Sequence, residues 1–467
     1  MLPASTRASS NRSGAPSRPK PPLRLKPLGR IADDGEVDIF VARQPILDHS
    51  LEVYGYELLY RSSALNAYSG TDETLATLQV ISNSFFSLDI ENLIGRGRAF
   101  INFTRELLLS DAAYVLPPRA VVIEVLEKIE VDAEVLAACR RLHQRGYLLA
   151  ADDIVNADQS GPLLEIVDFI KVDFRAASAA EQERIVRRYA PRACLLAEKV
   201  QTRAEVKRAT GLGYAFFQGY FFARPAVIKG AEIPAYKLNY LRILSEVNRS
   251  ELEFSELERL IRREVSVAYK LLRYVNSVLF AQRTTIDSIR RALVILGEQE
   301  IRRWVSVILL LQLTVDKPDA LAMHSMIRAS FCESLAQLSG LGARKSELFL
   351  LGLFSLLDAM TDRPLREALG KISLPRDILD TLLDAGPPGS RVALIFHLVK
   401  AYERAQWPQV LEDAGSLHLE NSEVADAYVK AVHWCDRVFS LVRHGPAGTE
   451  PLSEPVAAAS EPRPGRA

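Results

Sequence analysis

Between Val37 and Gly230 this 467-residue chain alternates short apolar runs with amphipathic stretches, and that alternation limits the fold more than any other feature. The apolar runs fall at residues 39–42, 53–59, 99–103, 121–126, 148–151, 169–172, 194–197 and 215–217; helical patterns fill 73–88, 131–145, 179–189 and 203–210. Runs this short, bounded by Gly and polar residues, read as strands buried on both faces. Repeated strand–helix units predict a parallel sheet, open or closed into a barrel. In a barrel the carboxyl ends of the strands converge on one face, where chemistry is done.

What stands at those ends is unusual. Glu57, Asn102, Glu124, Asp152 with Asp153, Lys171 with Asp173, Glu198 and Gln218 all lie at or near the end of an apolar run. The stretch from Gly146 to Asp153 (GYLLAADD) shows the pattern best, because two adjacent carboxylates repel and are costly to desolvate without a cation between them. A helix cap and a solvated neighbour would explain that stretch alone, but Glu and Lys at the other ends are poor caps. An oxygen-rich set of this kind suits one or two Mg²⁺ or Mn²⁺ ions, which activate water against a phosphodiester. Lys171 is placed to stabilise developing charge and Glu198 to take the proton of the attacking water.

Composition removes several classes. Lys and Arg together number 58, as do Asp and Glu, so no bulk basic charge argues for nucleic acid. The length exceeds one ordinary core and predicts two domains. Cys139, Cys194, Cys332 and Cys435 lie far apart, as reduced thiols of a cytosolic protein do. The apolar run from Val305 to Leu313 is too short for a bilayer and Gln312 interrupts it, and no signal-peptide core opens the chain. A cytoplasmic protein without membrane insertion is expected. Residues 1–35, rich in Ser, Pro and Arg, predict a disordered basic arm, and residues 444–467 a second disordered tail.

The motifs then become specific in combination. Gln44-Pro45-Ile46 followed by Tyr56-Glu57-Leu58-Leu59-Tyr60-Arg61 resembles the opening of EAL domains, the bacterial cyclic di-GMP phosphodiesterases. Ile101-Asn102-Phe103-Thr104, Ile123-Glu124-Val125-Leu126-Glu127, Ala151-Asp152-Asp153, Ile170-Lys171-Val172-Asp173, Ala197-Glu198-Lys199-Val200 and Gln218-Gly219-Tyr220 follow in the family's order. The resemblance implies a modified TIM barrel over residues 36–230. It also implies Glu57, Asn102, Glu124 and Asp152 as metal ligands, Asp153 as a ligand of a second metal, and Lys171 and Glu198 as catalytic residues. Gln44, Arg61, Gln218 and Asp173 would line the dinucleotide pocket. Two departures stand out. Active members continue Asp-Asp with Phe-Gly, where this chain has Ile154-Val155, and Glu-Gly-Val-Glu becomes Glu198-Lys199-Val200-Gln201. A Lys199 turned inward would lower the pKa of Glu198 and compete with a cation. The first metal site reads as complete and the second as weakened, so one ion is expected.

From residue 231 to 443 the pattern is purely helical, with stretches at 257–262, 268–275, 286–296, 301–312 and 325–338. The segment from Glu264 to Ser277, followed by Ile289, Ala292, Leu293, Leu296 and Gly297, resembles the HDOD domain, a helical relative of HD phosphohydrolases without their His-Asp metal pair. Here Leu357 precedes Asp358, and His324 is a lone histidine better suited to a structural role. The resemblance implies a module that meets a signalling protein partner, and leaves room for a homodimer. The expectation is a barrel that binds cyclic di-GMP with little or no hydrolysis. A working metal-dependent phosphodiesterase giving linear pGpG, and a nucleotide-independent scaffold, are the alternatives.

Overall fold

The computed structural model describes residues 39–62, 94–95, 97–159, 161–225, 234–249, 251–276, 286–370, 372–387 and 389–443. The expected helix at 73–88 and both expected disordered tails lie outside them.

All eight expected strands form: β1 (Ile39–Asp48), β2 (Val53–Ser62), β3 (Arg98–Phe103), β4 (Val121–Val125), β5 (Leu148–Ile154), β6 (Phe169–Asp173), β7 (Cys194–Glu198) and β8 (Phe216–Gln218). They close in sequence order into a barrel. The expectation of a wholly parallel sheet needs correction at one strand. β1 runs antiparallel to both β2 and β8, because the short link from Asp48 to Val53 turns the chain straight back on itself. The other pairings are parallel. Helices Arg105–Leu109, Ala133–Gln144, Ala179–Tyr189 and Arg203–Leu212 cover the outside, and their N-termini are closed by the side chains of Thr104, Asp132, Ser178 and Thr202.

The two-residue period of a strand explains where the functional side chains go. Phe100, Val122, Ala150, Phe169 and Leu196 fill the barrel lumen together with Ile46, and Phe216 packs on them. Two residues further along each of these strands stand Asn102, Glu124, Asp152, Lys171, Glu198 and Gln218. The residues between (Ile101, Ile123, Ala151, Ile170, Ala197, Phe217) face outward into the layer beneath the helices. Because β1 runs the other way, its inward residue at the same level is Gln44, two before Ile46, opposite Glu57 in the ladder. One apolar floor therefore carries one ring of polar groups.

The remaining described residues are helical, from Ala235–Val247 to Asn421–Arg443. The stretches expected at 286–296 and 301–312 form one element, Ile289–Leu313, sharply broken at Gly297, whose φ of 71° an L-residue adopts only with strain. Helix Lys345–Phe354 crosses Asp319–Leu338 so closely that a Cβ on Gly352 would come within 2.4 Å of the Arg328 backbone.

The helical half packs on β1 with chemistry as well as shape. Phe40 stacks on Trp407 at 5.5 Å and meets the edge of Tyr402 at 5.9 Å. The Arg43 guanidinium, its side chain 2% exposed, donates to both carboxylate oxygens of Asp436 at 2.8 and 3.1 Å and lies over the Tyr56 ring. Tyr402 donates its hydroxyl to the Val41 carbonyl, and Tyr220 donates to the Glu403 carbonyl at 2.9 Å. The Glu403 carboxylate is itself held by Arg328 at 2.8 Å and His324 at 3.1 Å. His324 thus serves this packing, as a lone histidine would. Among the described residues no helix is long and apolar enough to cross a membrane.

Candidate functional site

At the carboxyl ends of the strands the ring of polar groups closes around one ammonium. Lys171 is fully buried, and its Nζ lies 2.7 Å from Glu124, 2.8 Å from Asp152, 3.0 Å from Glu198 and 3.2 Å from Glu57. Glu57 is fixed from the other side: Gln218 Nε2 donates to it at 2.6 Å and Asn102 Nδ2 at 3.3 Å, while Gln218 also donates to Gln44 Oε1 at 3.1 Å. Tyr60 ties the Asn102 carbonyl to the same strand pair.

Four carboxylates face one cation, which leaves three negative charges when all are ionised. An ammonium has three hydrogens to give. Glu124 Oε2, Glu198 Oε2 and the Asn102 and Gln218 carbonyl oxygens accordingly receive no hydrogen bond although buried. Burial, with Asp152 and Glu57 adding to it against the pull of Lys171, pushes the Glu198 carboxyl up to about 8. Burial pushes Glu124 well above the usual carboxylate range too. That is how crowded carboxylates answer a shortage of positive charge: they hold protons unless a cation competes.

A second charged cluster adjoins the first. Lys199 Nζ lies 2.7 Å from Asp153 Oδ1 and 2.7 Å from Asp173 Oδ2. The other Asp173 oxygen accepts the backbone N–H groups of Arg175 and Ala176, both at 2.9 Å. Burial would raise Asp173, but Lys199 and these two donors outweigh it and hold the group below the usual range.

Comparison with known proteins gives this arrangement a family. The EAL domain family matches residues 72–225 and the HDOD domain family residues 233–358. An uncharacterized Bacillus subtilis protein, YuxH, is 33% identical over 410 residues, spanning 86% of this chain and 99% of its own. The Vibrio cholerae cyclic di-GMP phosphodiesterase CdgJ is 32% identical over 427 residues, 90% of this chain and 97% of its own. The chain belongs to the EAL–HDOD family. Among solved structures, a standalone EAL protein of Vibrio cholerae with cyclic di-GMP bound is 21% identical over 41% of this chain and 93% of its own, at a TM-score of 0.34. The Klebsiella pneumoniae BlrP1 complex with calcium and cyclic di-GMP is 25% identical over 40% of this chain and 56% of its own, at a TM-score of 0.33.

The barrel of this EAL–HDOD protein gathers the expected residues into two groups. Glu57, Asn102, Glu124, Asp152, Lys171, Glu198, Gln44 and Gln218 share one hydrogen-bonded and ion-paired network. Asp153 and Asp173 stand apart from it on Lys199. Arg61 lies on β2 opposite Phe40, and its side chain is outside the described residues.

The inner group has the donor chemistry of a hard divalent ion: carboxylate and amide oxygens, surplus negative charge and acceptors without donors. Its centre is the Lys171 ammonium, and among the described residues no three acidic groups converge on an open point. An ion would have to displace Nζ to reach these oxygens, because no free cage is present among the described residues. The outer pair does not fit, since its carboxylates already close on Lys199.

The departures read in the sequence at residues 199 and 201 have these positions. Lys199 pairs with Asp153 and Asp173 and not with Glu198, so the condition for lowering Glu198 is not met, and burial raises that group. Gln201, an amide where the family has a carboxylate, accepts at Oε1 from Arg224 at 2.9 Å. The residue whose direction sequence reasoning left open was Lys199. Its charge was legible, but its left-handed backbone (φ 55°), which sets the direction of the side chain, was not.

Proposed function

We propose that this EAL–HDOD chain is a cytoplasmic cyclic di-GMP signalling protein whose barrel binds the dinucleotide with one divalent ion and hydrolyses it slowly or not at all. The observation that carries the reading is the inner network: a surplus of carboxylate around one buried ammonium, at the mouth of a barrel of the EAL family. Glu57, Asn102, Glu124 and Asp152 would hold the Mg²⁺ or Mn²⁺, which when bound polarises a phosphate oxygen and acidifies water. Glu198, raised toward neutrality, is suited to exchange a proton near neutral pH. Gln44 and Gln218 offer amide groups at the rim for a base or phosphate, with Arg61 on the adjoining strand. The helical half, locked to β1 through Arg43 and Asp436, passes the state of the barrel to a protein partner.

The second reading is a working phosphodiesterase. It is favoured by the full inner set and by the likeness to CdgJ over nearly the whole length of both chains. Calorimetry with cyclic di-GMP, with and without Mg²⁺, run beside chromatography of the linear product, separates the readings. Metal-assisted binding without product is expected. Turnover at roughly 1 per second or faster, as in ordinary enzymes, would establish the phosphodiesterase. Absence of binding in both conditions would leave only a scaffold.

A further inference from the structure

We infer that the Lys199 ammonium is the resident cation of the outer aspartate pair, so that this barrel takes one divalent ion where two acidic sites stand side by side. The inference rests on the reading that the inner carboxylates hold a divalent ion, and it adds which residue excludes a second one.

Charge separates the two clusters. With all four carboxylates ionised, the inner network carries three negative charges after Lys171 is counted, with oxygens that receive no donor. The outer cluster sets one ammonium against two carboxylates, and the oxygens that Lys199 does not reach are not left wanting. Asp173 Oδ1 takes two backbone N–H groups, and Asp153 is more than a third exposed to water. A divalent ion entering there would break two charge-assisted hydrogen bonds of 2.7 Å, or else sit within a few ångströms of an ammonium that stayed.

The backbone is arranged for this contact. Lys199 follows the last residue of β7 and has a φ of 55°; Asp153, at the register shift near the end of β5, has a φ of 48°. Lys199 holds the left-handed region at a cost that Gly would not bear and Asp153 at a smaller one, and with these backbone turns the two side chains meet. The loop beyond Asp153 is closed as well. Ile154 is buried in the layer outside the barrel, and Gln159 accepts from the Val155 N–H while donating to the Asp153 carbonyl.

The chemical consequence is specific. An ammonium neutralises carboxylates, but it has no coordination position for water and cannot acidify one as a metal ion does. The outer pair is thereby kept compact and reduced to one net negative charge, without the second electrophile that an in-line phosphodiester displacement uses.

The test counts ions. Mn²⁺ is titrated into the full chain and followed by native mass spectrometry and electron paramagnetic resonance, for the natural protein, Lys199→Gly and Lys199→Arg. Lys199→Gly removes the ammonium and the left-handed strain together, so it keeps the fold. Its expected count is one ion above the natural protein, with a spin-coupled Mn²⁺ pair appearing in the spectrum. Lys199→Arg, which keeps the charge, stays at the natural count. A coupled pair in the natural protein, or no gain in Lys199→Gly, overturns the proposal. The count in the natural protein itself reads the inner site: zero there with one in Lys199→Gly would sink the inner-site reading and leave the role of Lys199 standing.

Discussion

Replacing Lys171 by Met removes the single cation from the inner network while keeping the length of the side chain. Each Nζ–oxygen contact of about 3 Å is worth roughly 5 kcal/mol by Coulomb's law at an effective dielectric of about 20, but the four carboxylates answer the loss by taking up protons. The realised loss is that of removing one partner from a buried ion network, about 3–5 kcal/mol. For a domain of this size each kcal/mol moves the midpoint by about 2–4 °C, so the melt in EDTA should fall by about 6–20 °C. The same change frees the centre for a divalent ion, which in the natural protein has to displace the ammonium. At a Mn²⁺ concentration about a hundredfold above Kd, binding returns about 2.7 kcal/mol, or about 5–11 °C. The assay is a thermal melt of both proteins in EDTA and in Mn²⁺. A Lys171→Met midpoint in EDTA within about 2 °C of the natural protein would refute the charge argument, being less than the shift expected for 1 kcal/mol. So would a variant that Mn²⁺ does not raise.

Two further outcomes follow from the same geometry. Asp436→Ala strips the bidentate partner from a nearly buried guanidinium and should lower the urea-unfolding free energy by about 3 kcal/mol; a loss below about 1 kcal/mol, the range of an exposed pair, would mean the domain contact is not held there. In metal-free protein, Glu124 and Glu198 have folded pKa values above their unfolded ones, so their stabilisation is complete below about pH 4.5 and is lost as pH rises toward about 8. The melt in EDTA should therefore decline across that window and that in Mn²⁺ should decline less, and parallel curves would contradict the assignment.

The strands were legible because a barrel strand buried on both faces leaves an uninterrupted apolar run, and its functional residue follows directly. Phe169-Ile170-Lys171 and Leu196-Ala197-Glu198 show both parts within three residues. The reversal of β1 was not legible, because antiparallel pairing is decided by the short turn between Asp48 and Val53 and not by the apolar pattern, which is alike in either direction. The site residues were legible by type, since Glu and Lys at strand ends have few other uses. Their grouping was not. Asp152 and Asp153 are neighbours in sequence, yet one reaches Lys171 and the other Lys199, because the register shift between Ala151 and Ile154 turns them apart. Lys199 illustrates the limit most clearly: a residue type states which charge is present, and only the backbone states where it points.

The same alternation that builds the site also supports the proposed relay to the helical half. On β1, Gln44 faces inward and accepts from Gln218, while its neighbour Arg43 faces outward and holds Asp436. At the end of β8, Gln218 donates to Glu57, Gly219 turns the chain, and Tyr220 donates to Glu403 beside Arg328 and His324. Gly219 has a φ of 143°, and a Cβ there would fall 2.0 Å from the Val200 carbonyl oxygen, so the turn is held against the strand end that carries Glu198. Two separate strands thus connect the candidate site with the domain contact within one or two residues. In the proposed relay, a ligand that redrew the hydrogen bonds of Gln44 and Gln218 would act on residues whose neighbours grip the helices. It would shift the helical half only so far as it bound two arrangements of that contact with different affinity. Such a relay needs the pocket to bind, not to turn over, which is why an ammonium can stand in the outer site without costing the protein its proposed role.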